Sequence, residues 1–149
     1  MTLPVTPEAL LFLMDGKLRK RKKLQARKMA SIDESLKEIQ KLSGFIAAAV
    51  GHAESGMAMG TIGGSSSFNI DVAVATNTEV VKAKLKAMQA LKLGGNIEDM
   101  LITLDKQYHL IRPLTSNPAI FVYVALDRES ANLAIARFKL AEIEKKINI

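Results

Sequence analysis

The sequence contains no cysteine and no tryptophan, and aromatic residues make up only 5% of it. The lack of cysteine excludes a disulfide framework and thiolate-bound zinc. No apolar run approaches the roughly 18 residues of a membrane-spanning helix. The short run "ALLFLM" precedes the nearest cluster of positive charges, whereas a secretory signal carries its charges first. With 48% hydrophobic residues in 149, we expect a folded cytoplasmic protein with a single core.

Acidic residues are scarce near the N-terminus, so the net positive charge of the chain is concentrated in that segment. Residues 1–28 hold eight bases and two acids, so they carry the same formal charge, +6, as the entire chain. The remainder is therefore neutral. The bases are Lys17, Arg19, Lys20, Arg21, Lys22, Lys23, Arg27 and Lys28.

This basic run predicts either a solvated tail or an electrostatic tether for nucleic acid or an anionic membrane. It contains no aromatic side chain on which a base could stack. Both kinds of polyanion stay open as partners. It also stays open whether residues 1–28 are functional or are an upstream extension before Met29.

Two helix starts are predicted in the N-terminal third of the chain. Thr6 and Pro7 are typical of a helix N-terminus, and this short helix should end at the turn pair Asp15 and Gly16. Ser31 and Glu34 have the spacing of a capping box, which predicts a new helix over 32–42. We therefore divide the chain into a basic extension, 1–30, and a domain, 31–149.

The rest of the chain predicts five strands and two more helices. "FIAAAVGH" and "GMAMGTI" indicate a hairpin, and three apolar runs between 99 and 126 indicate a meander. Between them, "EVVKAKLKAMQALK" predicts a helix over 77–92 that could begin as early as Asn69. The last helix should bury a stripe of Leu133, Ala136, Leu140, Ile143 and Ile147, with Ile135 and Phe138 beside it. The predicted fold class is α+β, with a five-stranded, mainly antiparallel sheet and, after the N-terminal extension, the order α-β-β-α-β-β-β-α.

At "ESLKEIQKLSGFIAAAVGHAESGMAMGTI" the chain resembles the roadblock family of dynein light chains and their bacterial relatives. "IFVYVALDRESANLAIARFKL" is similar to the last strand, turn and helix of that family, so the resemblance spans about residues 31–147. It implies a profilin-like or longin-like fold that dimerises by joining two sheets edge to edge and pairing the middle helices. It also implies a non-enzymatic adaptor, a scaffold or regulator for a small Ras-like GTPase. The basic extension and the "GGSSS" segment depart from the family pattern.

The middle helix has large apolar residues on more than one side, which is typical of a helix that contacts both a core and a partner. Val81, Leu85 and Met88 are the candidate residues for self-association or partner binding. The alternative, that both apolar sides lie in the protein's own core, stays open.

Several patterns suggest catalysis or ligand binding only in part. Gly51 and Gly56 have the spacing of a phosphate-binding loop, but Met57 stands where the lysine is needed. His52 and Glu54 match half of a zinc-deaminase motif whose cysteines are missing. Ser65, Ser66 and Ser67 lack the frame of a nucleophile elbow, and the carboxylates of Glu98 and Asp99 would face opposite ways on a strand. We predict no catalytic residue, no metal site and no cofactor.

Overall fold

A computed structural model describes residues 6–13 and 15–149 of the chain. The first five residues of the predicted extension, and Met14 at the end of its short helix, lie outside the described residues. Helix α1 spans Pro7–Leu13, and the backbone N–H of Ala9 donates to Thr6 Oγ1 at 3.1 Å, so the predicted cap is confirmed. In the part of the chain that the structure describes, no helix is both long and apolar enough to cross a bilayer.

Helix α2, Gly16–Gln40, corrects the prediction of a helix start at Ser31. Asp15 caps it, and the basic run and the first helix of the domain form one continuous helix. Ser31 lies inside, where its hydroxyl donates to the Lys28 carbonyl at 2.9 Å and accepts from the N–H of Asn148. Because the Ser31 hydroxyl bonds to a carbonyl of the preceding turn, it does not act as an N-cap. The residues between 17 and 30 are mostly Lys, Arg, Leu, Gln and Ala, which all favour helix, so the helix extends through them to Asp15.

The five predicted strands are confirmed. They are β1, Phe45–His52; β2, Ala58–Gly63; β3, Met100–Thr103; β4, Gln107–Pro113; and β5, Ile120–Asp127. They form one antiparallel sheet in the order β2-β1-β5-β4-β3, which leaves β2 and β3 at the edges. Strand β1, which lies next to the central β5, is rich in alanine, and small side chains there let helices approach both faces of the sheet.

Helix α3 spans Ile70–Ala90, so the earlier of its two predicted starts is correct. The Asn69 side chain accepts from the N–H groups of Asp71 and Val72 and caps the helix. Helix α4 spans Leu133–Lys146 and is capped by Asn132. In α4 Ala136, Leu140 and Ile143 are buried with Ile147 just beyond its end, whereas Leu133 is half-buried. Ile135 and Phe138 are exposed to solvent.

The core has two parts, one on each face of the sheet. Helices α2 and α4 cover one face, where Ile32, Leu36 and Ile39 pack in a cluster with the buried side chains of alternate β5 residues from Ile120 to Leu126. Helix α3 covers the other face, where Val74 and Val81 belong to a cluster with Phe121 and Tyr123. This arrangement places α3 alone on its face of the sheet.

Candidate partner-binding surfaces

The apolar stripe of α3 continues beyond the part of the helix that its own sheet covers. Val74, Thr78, Val81, Leu85 and Met88 are separated by alternating steps of four and three, so they lie on one side of the helix. The first three are buried, and Val81 is 1% exposed. Leu85 is 40% exposed and Met88 is only partly buried. The last nine residues of the helix, about 13 Å of its length, therefore carry an apolar side that the other described residues leave largely uncovered.

The structure thus separates the three residues predicted as an interface. Val81 is a core residue and offers no surface to a partner. Leu85 and Met88 extend the same stripe into an accessible region, and we call these two residues the α3 stripe. Val80, also exposed, lies on a different side of the helix.

Strand β3 is the more regular of the two edge strands. Met100, Leu101 and Ile102 pair in register with β4 on one side. At the opposite edge, β2 contains Gly60 and ends at Gly63, and its pairing with β1 shifts register between Val50 and Gly51. Bulges and irregular register along an edge strand reduce pairing with further strands. An added strand would therefore meet less obstruction at β3.

A partly buried polar network lies between α3 and the sheet, and it was not predicted from the sequence. The Tyr123 hydroxyl lies 3.1 Å from His109 Nδ1, and His109 Nε2 lies 2.7 Å from Gln107 Oε1. An amide oxygen can only accept, so Nε2 donates to Gln107 and Nδ1 accepts from Tyr123. Burial lowers the pKa of His109 and raises the pKa of Tyr123 to about 12, the latter against an opposing hydrogen bond from Asn77. The neutral forms of both groups are favoured, so the network carries no charge.

A cluster of charged side chains joins α4 to β4, and it too was missed. Arg112 lies 3.9 Å from Glu144 and 3.6 Å from Asp99, and Asp99 also pairs with Arg137 at 2.8 Å. Both oxygens of Glu144 accept hydrogen bonds from Thr115. Glu144 lies directly after Ile143 on the buried stripe of α4, and a carboxylate at such a position was the available signal. Every cation in the cluster has a carboxylate beside it, so the cluster is a structural clamp rather than an anion site.

The residues considered for catalysis lie at strand ends and in connecting segments, and Glu98 and Asp99 come before β3 rather than on a strand. Gly51, His52 and Glu54 belong to the β1–β2 hairpin, where the Ser55 N–H donates to His52 Nδ1 at 3.4 Å. Ser65 and Ser67 hydrogen bond to each other. Within residues 6–13 and 15–149, no three His, Asp or Glu side chains are grouped as metal ligands would be.

The basic run forms the first half of α2 and projects from the domain as a helix. Its eight Lys and Arg side chains are exposed, except that Lys28 is half-buried. The first fully buried side chain of α2 is that of Ile32. We call residues 16–30 the basic arm.

The sheet order, the single helix on one face and the pair on the other define a roadblock-type fold, and solved structures agree. The chain is similar to MglB of Myxococcus xanthus, with a TM-score of 0.70 over 80% of this chain and 86% of that one at 10% identity. It is also similar to a Roadblock/LC7 domain from Streptomyces avermitilis, with a TM-score of 0.64 over 78% and 91% of the two chains at 15% identity. MglC of Myxococcus xanthus matches with a TM-score of 0.52 over 78% and 96% at 18% identity.

No protein-family model matches the chain, and no curated protein matches it by sequence. Identities of 10 to 18% establish the fold and leave function to be argued from the residues of this chain. The roadblock resemblance of the sequence is thus confirmed at the level of fold.

Proposed function

We propose that this protein is a non-enzymatic, dimeric adaptor that binds and regulates a small Ras-like GTPase. The observation that carries the proposal is the α3 stripe, an apolar continuation of a core helix that the chain itself leaves uncovered. The roadblock-type fold supports it, because the resemblance implies pairing of the middle helices and a GTPase partner. One solved relative is described as MglB with a tetrameric arrangement. Such a partner implies action in the cytoplasm.

The α3 stripe is too small to hold a dimer by itself. A typical stable interface buries about 800 Å² on each partner, and two side chains supply only a fraction of that area. The outer edge of β3 would supply the rest, because two copies joined there would form a continuous sheet with backbone hydrogen bonds. We therefore assign the dimer interface to the α3 stripe and the β3 edge together.

Replacing Leu85 and Met88 together by glutamate should convert the dimer to a monomer. Four carboxylates would then face one another across the dimer axis, in a contact that excludes water, and burying unpaired charge is strongly unfavourable. Light scattering coupled to size-exclusion chromatography measures the mass directly.

The matched control is Lys82→Glu with Lys86→Glu, which introduces two carboxylates on the polar side of the same helix. This control should remain dimeric. A wild-type monomer at high concentration, or a Leu85/Met88 variant that still dimerises, would remove the α3 stripe from the interface.

Regulation of a GTPase is tested with a purified Ras-like GTPase from the same organism. We expect the protein to bind one nucleotide state, loaded with GDP or a non-hydrolysable GTP analogue, at least tenfold more tightly than the other, because regulators act by distinguishing the two states. Isothermal titration calorimetry measures both affinities. Equal affinity for the two states, or no binding to either across the Ras-like GTPases of the genome, would contradict the proposed function.

A further inference from the structure

The basic arm is helical, whereas a basic tail ordinarily has no regular structure. It comprises the first 15 residues of α2 and extends about 22 Å from the domain as regular helix. The remainder of α2 is fixed in the core by Ile32, Leu36 and Ile39. The charges of the arm therefore have a defined position relative to the folded body, which is electrically neutral overall.

The arm has positive charge on all sides and no apolar face of its own. At 100° per residue its eight bases are distributed around the whole circumference. Its exposed large apolar residues are Leu18, Leu24 and Met29, and Leu24 lies about 120° around the axis from Leu18 and about 140° from Met29. Such a helix would lie against an anionic surface but would not insert into it.

Apolar side chains are exposed immediately before the arm. Helix α1 has the sequence PEALLFL, with Glu8 as its one charged residue. Leu10 is 58% exposed and Phe12 is 80% exposed. Only Met14 and Asp15 separate α1 from the basic helix. Exposed Phe and Leu beside a polybasic segment supply the two contributions, apolar insertion and electrostatic attraction, that stable membrane attachment needs.

Nucleic acid explains only half of these observations. Phosphate contacts require Lys and Arg side chains, which the arm has. They give no role to the exposed apolar side chains of α1. The aromatic at Phe12 lies outside the basic run, and the run has no aromatic for base stacking. A bilayer containing anionic lipid accommodates both segments at once.

We propose that α1 and the basic arm form a membrane-docking segment, in which Leu10 and Phe12 insert among the acyl chains of an anionic bilayer while the arm lies on the headgroups. The body of the protein, with the α3 stripe and the β3 edge, is then held at the membrane surface. This proposal does not depend on the GTPase function.

The test is flotation of the full-length protein with vesicles of phosphatidylcholine alone, or mixed with phosphatidylserine. Wild type should bind only the anionic vesicles. Arg19→Gln, Lys20→Gln and Lys23→Gln together should weaken that binding roughly 100-fold, since each base near an anionic surface contributes about fivefold. The matched control is Lys82→Gln, Lys84→Gln and Lys86→Gln on α3, which removes the same charge from exposed positions and should change binding less than about twofold.

The apolar contribution is tested at constant charge with Leu10→Ser and Phe12→Ser together. This variant should bind anionic vesicles at least tenfold more weakly, because each side chain loses its transfer from water. It should also lose the part of binding that survives high salt. All altered side chains are exposed, so circular dichroism should show an intact fold.

The same proteins are titrated onto a short fluorescent duplex DNA to separate the two kinds of polyanion. Tighter binding to DNA than to anionic vesicles at physiological salt would overturn the proposal. So would absence of vesicle binding, or vesicle binding that is indifferent to the Leu10 and Phe12 substitutions.

Discussion

Glu144→Gln is expected to lower the free energy of unfolding by about 3 kcal/mol, because it removes one charge from a buried cluster while preserving its shape. Glu144 is 1% exposed and accepts from the Thr115 hydroxyl at 2.6 Å and the Thr115 N–H at 3.1 Å. An amide has one acceptor oxygen, so one of these donors would meet an NH₂ group instead. Arg112, whose buried Nε has no hydrogen-bond partner among the described residues, would also lose a nearby carboxylate.

Chemical denaturation of the variant, with Glu142→Gln as control, measures this effect. Glu142 lies on the same helix but is exposed, so its substitution should change stability by less than about 0.5 kcal/mol. Combining Arg112→Met with Glu144→Gln should recover part of the loss, because no guanidinium is then left beside a missing carboxylate. Asp99 would keep Arg137 as its partner. Equal effects of Glu144→Gln and Glu142→Gln would show that the cluster contributes no stability.

The strands and two of the domain helices could be predicted from the sequence because their signals are local. Asn69 before "IDVAVAT" is a cap followed by helical periodicity, and the structure places α3 there. The β1–β2 hairpin follows from a turn containing Gly56, which has a φ of 72°. Turn residues and apolar periodicity were sufficient to predict α3 and the β1–β2 hairpin, because tertiary contacts reinforce the local preference in both elements.

The start of α2 was predicted wrongly because a capping box can occur within a longer helix. Ser31 and Glu34 satisfy the spacing, yet the preceding residues have high helix propensity and Asp15 provides an earlier cap. The error matters for function. A flexible tail would carry its charges independently of the domain, whereas a continuous helix fixes them relative to Ile32 and the sheet.

Exposure along α3 could not be predicted, since it depends on where the sheet ends. Val81, Leu85 and Met88 are equivalent by periodicity, and only the sheet beneath the helix distinguishes the buried Val81 from the exposed Leu85. The contact between His109 and Tyr123 likewise depends on strand register, because β4 and β5 pair residues that are far apart in sequence. Neither the exposure along α3 nor the contact between these two side chains can be predicted from a short segment of sequence.

The two proposed surfaces place different demands on the sequence. The α3 stripe must be apolar enough to bind a second copy, yet short enough to leave the free chain soluble during folding. The basic arm contributes no residue to either core cluster. Substitution of the Lys and Arg residues of the arm should therefore leave the free energy of unfolding unchanged. Substitutions at positions where the backbones of two segments are in close contact should lower it most.

Gly44→Ala is the second substitution with a large expected effect, about 3 kcal/mol of destabilisation. Gly44 links α2 to β1 with a φ of 78°, in the left-handed region that costs a residue with a Cβ about 1–2 kcal/mol. A Cβ there would lie 2.8 Å from the Asp127 carbonyl oxygen and 2.9 Å from the Ala131 nitrogen. Both are backbone atoms, and the Asp127 N–H also donates to the Gly44 carbonyl, so the turn between β5 and α4 would have to move.

Substitutions at two other glycines distinguish the cost of the left-handed backbone conformation from the cost of the steric clash. Gly95 has a φ of 87° with open space around its Cβ position, so Gly95→Ala should cost only the left-handed penalty of about 1 kcal/mol. Gly94 has neither constraint, and Gly94→Ala should be neutral or slightly stabilising, since alanine restricts the unfolded chain. Thermal or urea denaturation of the three variants should rank Gly44→Ala as least stable, then Gly95→Ala, then Gly94→Ala. A Gly44→Ala variant no less stable than Gly95→Ala would contradict this prediction. It would show that the backbone where α2, β1 and the β5–α4 turn meet can shift to accommodate a Cβ at no cost in free energy of unfolding.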